Sequence, residues 1–284
     1  MRLWIIGAEG VLGKAMLKIC RDRHVSATGT GKSEADITVK EILTLKALEI
    51  SPTHIVNCAA YTKVNEAEED YGRALSINAQ GAQNVAEVAR GIGAKLVHIS
   101  TNFVFGSGRA HREDDKLQPV NAYGKSKSEG EQRVMQAHPD ACIIRTSWVF
   151  GNGGKNFFSS LIHWLKTKEE LRVDDQWGRL TYAPDLAHAV MELLNARGIF
   201  HFANSEAASR FEIATFAFEE MRKQNIPMVC KSVLPVSMAT FSEAAPRPSG
   251  SVLDTDKYTK FTGDLPRKWQ DALREFLKDA YEPQ

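Results

Sequence analysis

An apolar run, Leu3-Trp4-Ile5-Ile6, passes directly into GAEGVLG at residues 7–13. No other feature of the chain narrows the fold as much. Gly7, Gly10 and Gly13, placed after a strand and opening a helix, describe a tight turn whose backbone a ligand can approach closely. The helix start adds unpaired N–H groups and a partial positive charge, which suit a phosphate. The spacing is GxxGxxG rather than GxGxxG, and a glycine turn without a ligand is the plain alternative.

The strand–helix alternation continues through the first half. Strand-like runs fall at Leu3–Ile6, Val25–Ala27, His54–Cys58, Lys95–Ser100 and Ala141–Arg145. Helical spacing falls between them, at Val11–Cys20, Ile37–Leu48, Tyr71–Arg90 and Asn121–Gln136. Strands this apolar are covered on both faces. They predict an α/β fold, a Rossmann-type doubly wound parallel sheet. The rhythm breaks after Phe150, at the loop GNGGKN. A helix at Phe157–Lys168 and an amphipathic stretch at Pro184–Asn195 follow, and the end of the chain reads as irregular. The expected division is a dinucleotide-binding domain at 1–150, joined by about 178–200, and a smaller, partly discontinuous C-terminal substrate-binding domain at 151–177 and 201–284.

Charge excludes some functions. The 36 Lys and Arg face 35 Asp and Glu, so the sequence has no basic footprint for nucleic acid. Cys20, Cys58, Cys142 and Cys230 lack metal-ligand spacing and read as reduced thiols, with no metal site expected. No apolar run is long enough to span a bilayer, and no segment resembles a signal peptide. A cytoplasmic protein with neither membrane nor nucleic-acid partners is the expectation.

The second strand leads into Thr28-Gly29-Thr30, with Lys32 close behind, and no carboxylate stands there to repel a 2′-phosphate. Thr30 and Lys32 therefore favour NADPH. Glu34 or Asp36 could instead reach a ribose, which leaves NADH open. The cofactor surface is expected over Gly7, Gly10, Val11, Leu12 and Gly13, then Thr30, Lys32, Asp36 and Ile37.

YGKSK places Tyr123 and Lys127 four residues apart, on one helix face. A free phenol has a pKa of about 10, too high for easy proton exchange at neutral pH. A nearby ammonium lowers it. Tyr123, tuned by Lys127, could then protonate a carbonyl oxygen as hydride reaches its carbon. The fourth strand should deliver Ser100, Thr101 and Asn102 to the carboxyl edge of the sheet, where such folds bind ligands. Thr101 could donate to the same oxygen. Tyr and Lys at this spacing also occur on solvated helices; the upstream glycine turn is what favours chemistry.

Five stretches resemble the extended short-chain dehydrogenase/reductases: GAEGVLG, VNCAAYTKVNEAE at Val56–Glu68, HISTNFVFG at His98–Gly106, NAYGKSKSEGE at Asn121–Glu131 and IIRTSWVFG at Ile143–Gly151. With APRPSGSVLD at Ala245–Asp254, the chain is most similar, within them, to the dTDP-4-dehydrorhamnose reductase family. The resemblance implies NADPH- or NADH-dependent reduction of the 4-keto group of a dTDP-6-deoxy-hexulose, giving dTDP-L-rhamnose or a close relative. It implies a catalytic trio of Thr101, Tyr123 and Lys127. It implies a loop along the cofactor at Cys58, Ala59, Ala60 and Tyr61, with Ser100 beside it. For the nucleotide sugar it implies Thr101, Asn102, Phe103, Trp148, Asn156 and Arg247. A homodimer is compatible with it.

The family usually reads STDYVF where this chain reads STNFVF. Asn102 keeps an acceptor oxygen but loses a charge, and Phe103 loses a hydroxyl. That puts the sugar in question rather than the hydride chemistry. Two other readings stay open. One is another nucleotide-sugar reductase or epimerase of the same superfamily. The other is a non-catalytic NADP-binding regulatory subunit like methionine adenosyltransferase β. His98, on an apolar strand, reads as a core residue. The acidic run Glu66, Glu68, Glu69 and Asp70 reads as a solvated helix start.

Overall fold

Six parallel strands form the central sheet of the structure, a computed structural model that describes residues 1–281 apart from Lys155 and Ser242. They are β1 (Arg2–Ile6), β2 (Ser26–Thr30), β3 (His54–Asn57), β4 (Lys95–Thr101), β5 (Cys142–Thr146) and β6 (Gly198–His201). Their order across the sheet is β2-β1-β3-β4-β5-β6. The order reverses between β1 and β3, the switch point at which sheets of this kind leave a crevice beyond their strand ends.

The strands are apolar because both faces are covered. Helices α1 (Val11–Asp22) and, later, Ala183–Glu192 cover one face, burying Met16, Leu186 and Val190 against Ile5 and Ile144. Helices α2 (Lys40–Ile50), α3 (Ala82–Gly91) and α4 (Ala122–Ala137) cover the other, with Leu43, Val85 and Val134 against Trp4 and Ile143. Each fully buried side chain of this kind contributes about 1.5–3 kcal/mol relative to exposure.

A second core lies beside the sheet. Helices α5 (Phe157–Thr167), α7 (Arg210–Lys223) and α8 (Trp269–Tyr281) pack Phe158, Leu161, Ile213, Met221 and Leu273 with Phe150 and Tyr182; α6 is Ala183–Glu192. The helix at Asp256–Thr262 returns to the sheet, where Tyr258 meets Phe202. No helix among the described residues is long and apolar enough to cross a membrane.

Three elements depart from the sequence reading. The expected helix at Tyr71–Arg90 is broken into Tyr71–Leu75, a π-helical turn at Ser76–Gly81, and α3. Inside that turn the Asn78 amide accepts from the Tyr61 N–H at 2.8 Å and donates to Ser126 Oγ at 2.9 Å. Such turns recur at functional sites because they re-aim one side chain. The second helix begins at Lys40 rather than Ile37, since Asp36 accepts from the Thr38 N–H and hydroxyl and so holds the chain in a turn. The end of the chain is not irregular. In α8, Trp269, Ala272, Leu273, Phe276 and Leu277 recur at helical spacing, and all are buried.

Candidate active site

A cavity of about 790 Å³ opens at the switch point. Its first wall is backbone. Gly7 turns the chain at φ 80°. A Cβ on Gly13 would lie 2.3 Å from the Gly7 carbonyl oxygen, so α1 seats against the turn only without a side chain there. No side chain caps α1, and its first turn holds no acid. Its opening N–H groups are thus left for an external anion. The loop after β3 closes in, with Cys58, Ala59 and Ala60 on the wall. These features fit the pyrophosphate of a dinucleotide.

Two of the expected cofactor residues sit elsewhere. The Thr30 hydroxyl accepts from Trp4 Nε1 at 2.9 Å, inside the core, because strand alternation turns it inward. Gly31, Lys32, Asp36 and Ile37 line the cavity in its place. The Tyr61 hydroxyl points to Glu66 at 3.2 Å, and Thr62 and Val64 form the wall instead. Three charges border this end. Lys32 is 72% exposed, with its amine 3.8 Å from Asp36, and the Glu9 carboxylate stands over Gly31.

Helix α4 carries the reactive pair. Its first N–H groups are held by Asn121, which accepts from Gly124 at 2.7 Å, and by Glu68, which accepts from Ala122 at 2.7 Å. Glu68 is therefore an anchor of this helix rather than only part of a solvated start. Tyr123 and Lys127 are both buried and line the cavity with Ser100, Asn102 and Phe103. Thr101 lies behind them. Its hydroxyl donates to Asn102 Oδ1 at 3.4 Å and accepts from the Phe103 N–H at 3.2 Å.

Burial pushes the Tyr123 phenol up to about 12, and the neighbouring Thr101 hydroxyl pulls it part of the way back. The expected lowering by Lys127 is absent, because the lysine amine is engaged elsewhere. It donates to the Ile99 carbonyl at 2.7 Å and stands 3.5 Å from His98 Nε2. Burial pulls Lys127 down to about 8, against the opposing pull of Glu131. Glu131 itself is buried, paired with Arg145 at 2.8 Å, and accepts from Ser100 Oγ.

The far end of the cavity is built from side chains. Trp148 adopts φ 44°, a strained value for so large a residue. Its indole lies on Gly178, where a Cβ would come within 2.7 Å of the ring. The Arg210 guanidinium lies 5.5 Å from the Trp148 ring centroid and 5.3 Å from that of Phe157, and pairs with Asp174 at 3.0 Å. Asn156 caps α5 by accepting from the Ser159 N–H at 2.9 Å. Arg247 lies over Phe103 and pairs with Glu243 at 2.7 Å. The Asn102 amide donates to the Ser251 carbonyl at 3.0 Å, a bond that an ionised carboxylate could not make.

The family described as the RmlD substrate binding domain matches residues 1–282. The chain belongs to this RmlD family. It is 37% identical over 282 residues to the spore coat polysaccharide biosynthesis protein SpsK of Bacillus subtilis, covering 98% of this chain and 97% of that one. A solved dTDP-4-dehydrorhamnose reductase from Clostridium acetobutylicum superposes with a TM-score of 0.93 at 34% identity, covering 99% of this chain and all of that one. Another, from Bacillus anthracis and solved in complex with NADP, gives 0.91 at 36% identity, covering 98% and 99%.

In this RmlD-family chain, then, a backbone seat for a pyrophosphate and a buried phenol with a hydroxyl behind it face one cavity. The arrangement can deliver a proton to an oxygen next to a bound dinucleotide. Arg210 and Phe157, which line the same cavity, were not legible as site residues. The signal for Arg210 was the capping box of Ser209 and Glu212, which marks the start of α7.

Proposed function

We propose that this chain reduces the 4-keto group of a dTDP-6-deoxy-hexulose with NADPH, giving dTDP-L-rhamnose or a close relative. What carries the reading is the buried Tyr123 phenol, with the Thr101 hydroxyl beside it, in the same cavity as the uncapped start of α1. The solved relatives named as reductases, one of them with NADP, support it. NADPH held over the glycine turn supplies the hydride.

The residues of the chain do the rest. Tyr123 gives its proton to the ketone oxygen as the carbon gains its new C–H bond, leaving an alcohol. The raised pKa keeps the phenol protonated and ready at neutral pH, and Thr101 orients it. Lys127, which lines the same cavity and is still mostly protonated at neutral pH, bonds the nicotinamide ribose. Trp148, Asn156 and Arg247, with Arg210, hold the sugar nucleotide. Lys32 draws a 2′-phosphate, while Glu9 opposes it in part.

The test is an NADPH-oxidation assay with dTDP-4-keto-6-deoxy sugars made in a coupled system. Stoichiometric loss of NADPH with appearance of the reduced sugar is expected. An epimerase would change the sugar without net loss of NADPH. NADPH binding without turnover of any sugar would favour a regulatory subunit. The same reading places the protein in the cytoplasm, which cell fractionation checks.

A further inference from the structure

His98 is buried on β4 and takes no direct part in proton transfer to the ketone. Its surroundings nevertheless fix where its own proton lies. The Ala59 N–H donates to Asn57 Oδ1 at 3.1 Å, so the Asn57 amide cannot turn over without setting N–H against N–H. Asn57 Nδ2 therefore donates to His98 Nδ1, also at 3.1 Å. A neutral imidazole whose Nδ1 accepts carries its proton on Nε2. The ring is neutral, since burial and the neighbouring Lys127 charge both hold it well below the usual imidazole range. Nε2 stands 3.5 Å from Lys127 Nζ.

We propose that His98 is a positioning residue that turns an N–H donor, rather than a lone pair, toward the Lys127 amine. An ammonium facing that N–H is repelled. A neutral amine facing it accepts the bond. The other partner of Lys127, the Ile99 carbonyl, accepts from either form and holds the ammonium more strongly, so the bias toward the neutral amine falls to His98. Of the remaining ionisable groups around the amine, Tyr123 and Glu131 come from its own helix; Glu131 is paired with Arg145 from β5 and still favours the ammonium. From β3 comes Asn57, which brings no charge.

The consequence is a hydrogen-bond chain of fixed polarity. It runs from the Ala59 backbone, on the cofactor side, through Asn57 and His98 to Lys127. A change in the loop at residues 58–60 is thereby felt as a change in how readily the lysine holds its proton. This role rests on the reductase reading of the site for its meaning, while its tautomer test stands apart from that reading.

Nitrogen NMR of the histidine-labelled full chain assigns the His98 tautomer directly. The Nε2–H form is expected, and the Nδ1–H form overturns the proposal. In Asn57→Asp, a carboxylate can accept from both Ala59 and His98. The proton should move to Nδ1 and leave a lone pair for Lys127. In His98→Gln, the side-chain oxygen can turn to Nζ without adding charge. There the basic limb of the NADPH-oxidation pH profile should rise by about one unit. A role in packing alone would lower Tm and leave the limb in place, and an unmoved limb in folded, active His98→Gln overturns the proposal. If the wild-type chain oxidises no NADPH with any dTDP sugar, the reductase reading fails. The tautomer, with the Lys127 titration followed by carbon NMR of labelled lysine, then still decides this one.

Discussion

The two ends of the cavity are made of different material. The cofactor end is backbone: a turn at Gly7, a helix seated at Gly13, an uncapped helix start, and the loop at Cys58–Ala60. The substrate end is side chains from distant segments, namely Phe103, Trp148, Phe157, Arg210 and Arg247. A backbone seat follows from the fold and tolerates little change. A side-chain wall can be recut one residue at a time without touching the sheet. The contrast separates what this site inherits from its fold from what it can vary, and it makes sugar choice the adjustable property.

Tyr123 joins the two ends, so its loss should cost most. Tyr123→Phe should lower turnover by about 10²–10⁴-fold, with NADPH binding by fluorescence titration unchanged. Full turnover would mean that the ends meet at some other group. Gly13→Val attacks the backbone end alone. Its Cβ would sit 2.3 Å from the Gly7 oxygen, so the turn must shift. A stability loss of about 1–3 kcal/mol in urea unfolding is expected, together with weakened NADPH binding. A variant with native affinity would sink the idea of a backbone seat.

Gly178→Ala probes the side-chain end. It pushes the Trp148 indole from its bed. The sugar KM should rise roughly tenfold, equivalent to about 1.4 kcal/mol, while NADPH affinity holds. If both affinities fell together, the ends would not be separable. Between them, Lys127 sets a pH dependence. With its pKa near 8, turnover should fall as pH rises through that value, read from a kcat profile. The unfolded chain holds this proton to higher pH than the folded one. Between the two pKa values this group therefore adds stability as pH rises. The smallest change is expected from Lys32→Ala. Because Lys32 is 72% exposed, its preference for NADPH over NADH is worth only about 0.2–1 kcal/mol, a few-fold in relative Kd.

The same contrast governs what could be read from the sequence. The sheet was legible because each strand is a short apolar run, and the seat because its glycines recur at every third residue in one short stretch. The pair Tyr123 and Lys127 was legible because both lie on one turn of α4. Arg210 was not, since its partners Trp148, Phe157 and Asp174 lie at least 36 residues away in the chain and meet it only through folding. Thr30 was assigned to the 2′-phosphate by position, but strand alternation decides which way a hydroxyl faces, and here it faces Trp4. Lys127 was expected to lower the Tyr123 pKa. Spacing alone could not show that its amine turns to Ile99 and His98.

The π-helical turn at Ser76–Gly81 has a consequence for insertions and deletions. An ordinary helix advances about 100° per residue. Deleting one residue from 76–81 would let the segment relax into regular winding with every backbone bond remade. It would also swing Asn78 away from both Tyr61 and Ser126, which it now ties together. A loss that looks harmless by composition would thus uncouple the cofactor loop from the reactive helix. Here the phase of the winding, more than the identity of any residue, keeps the two in register.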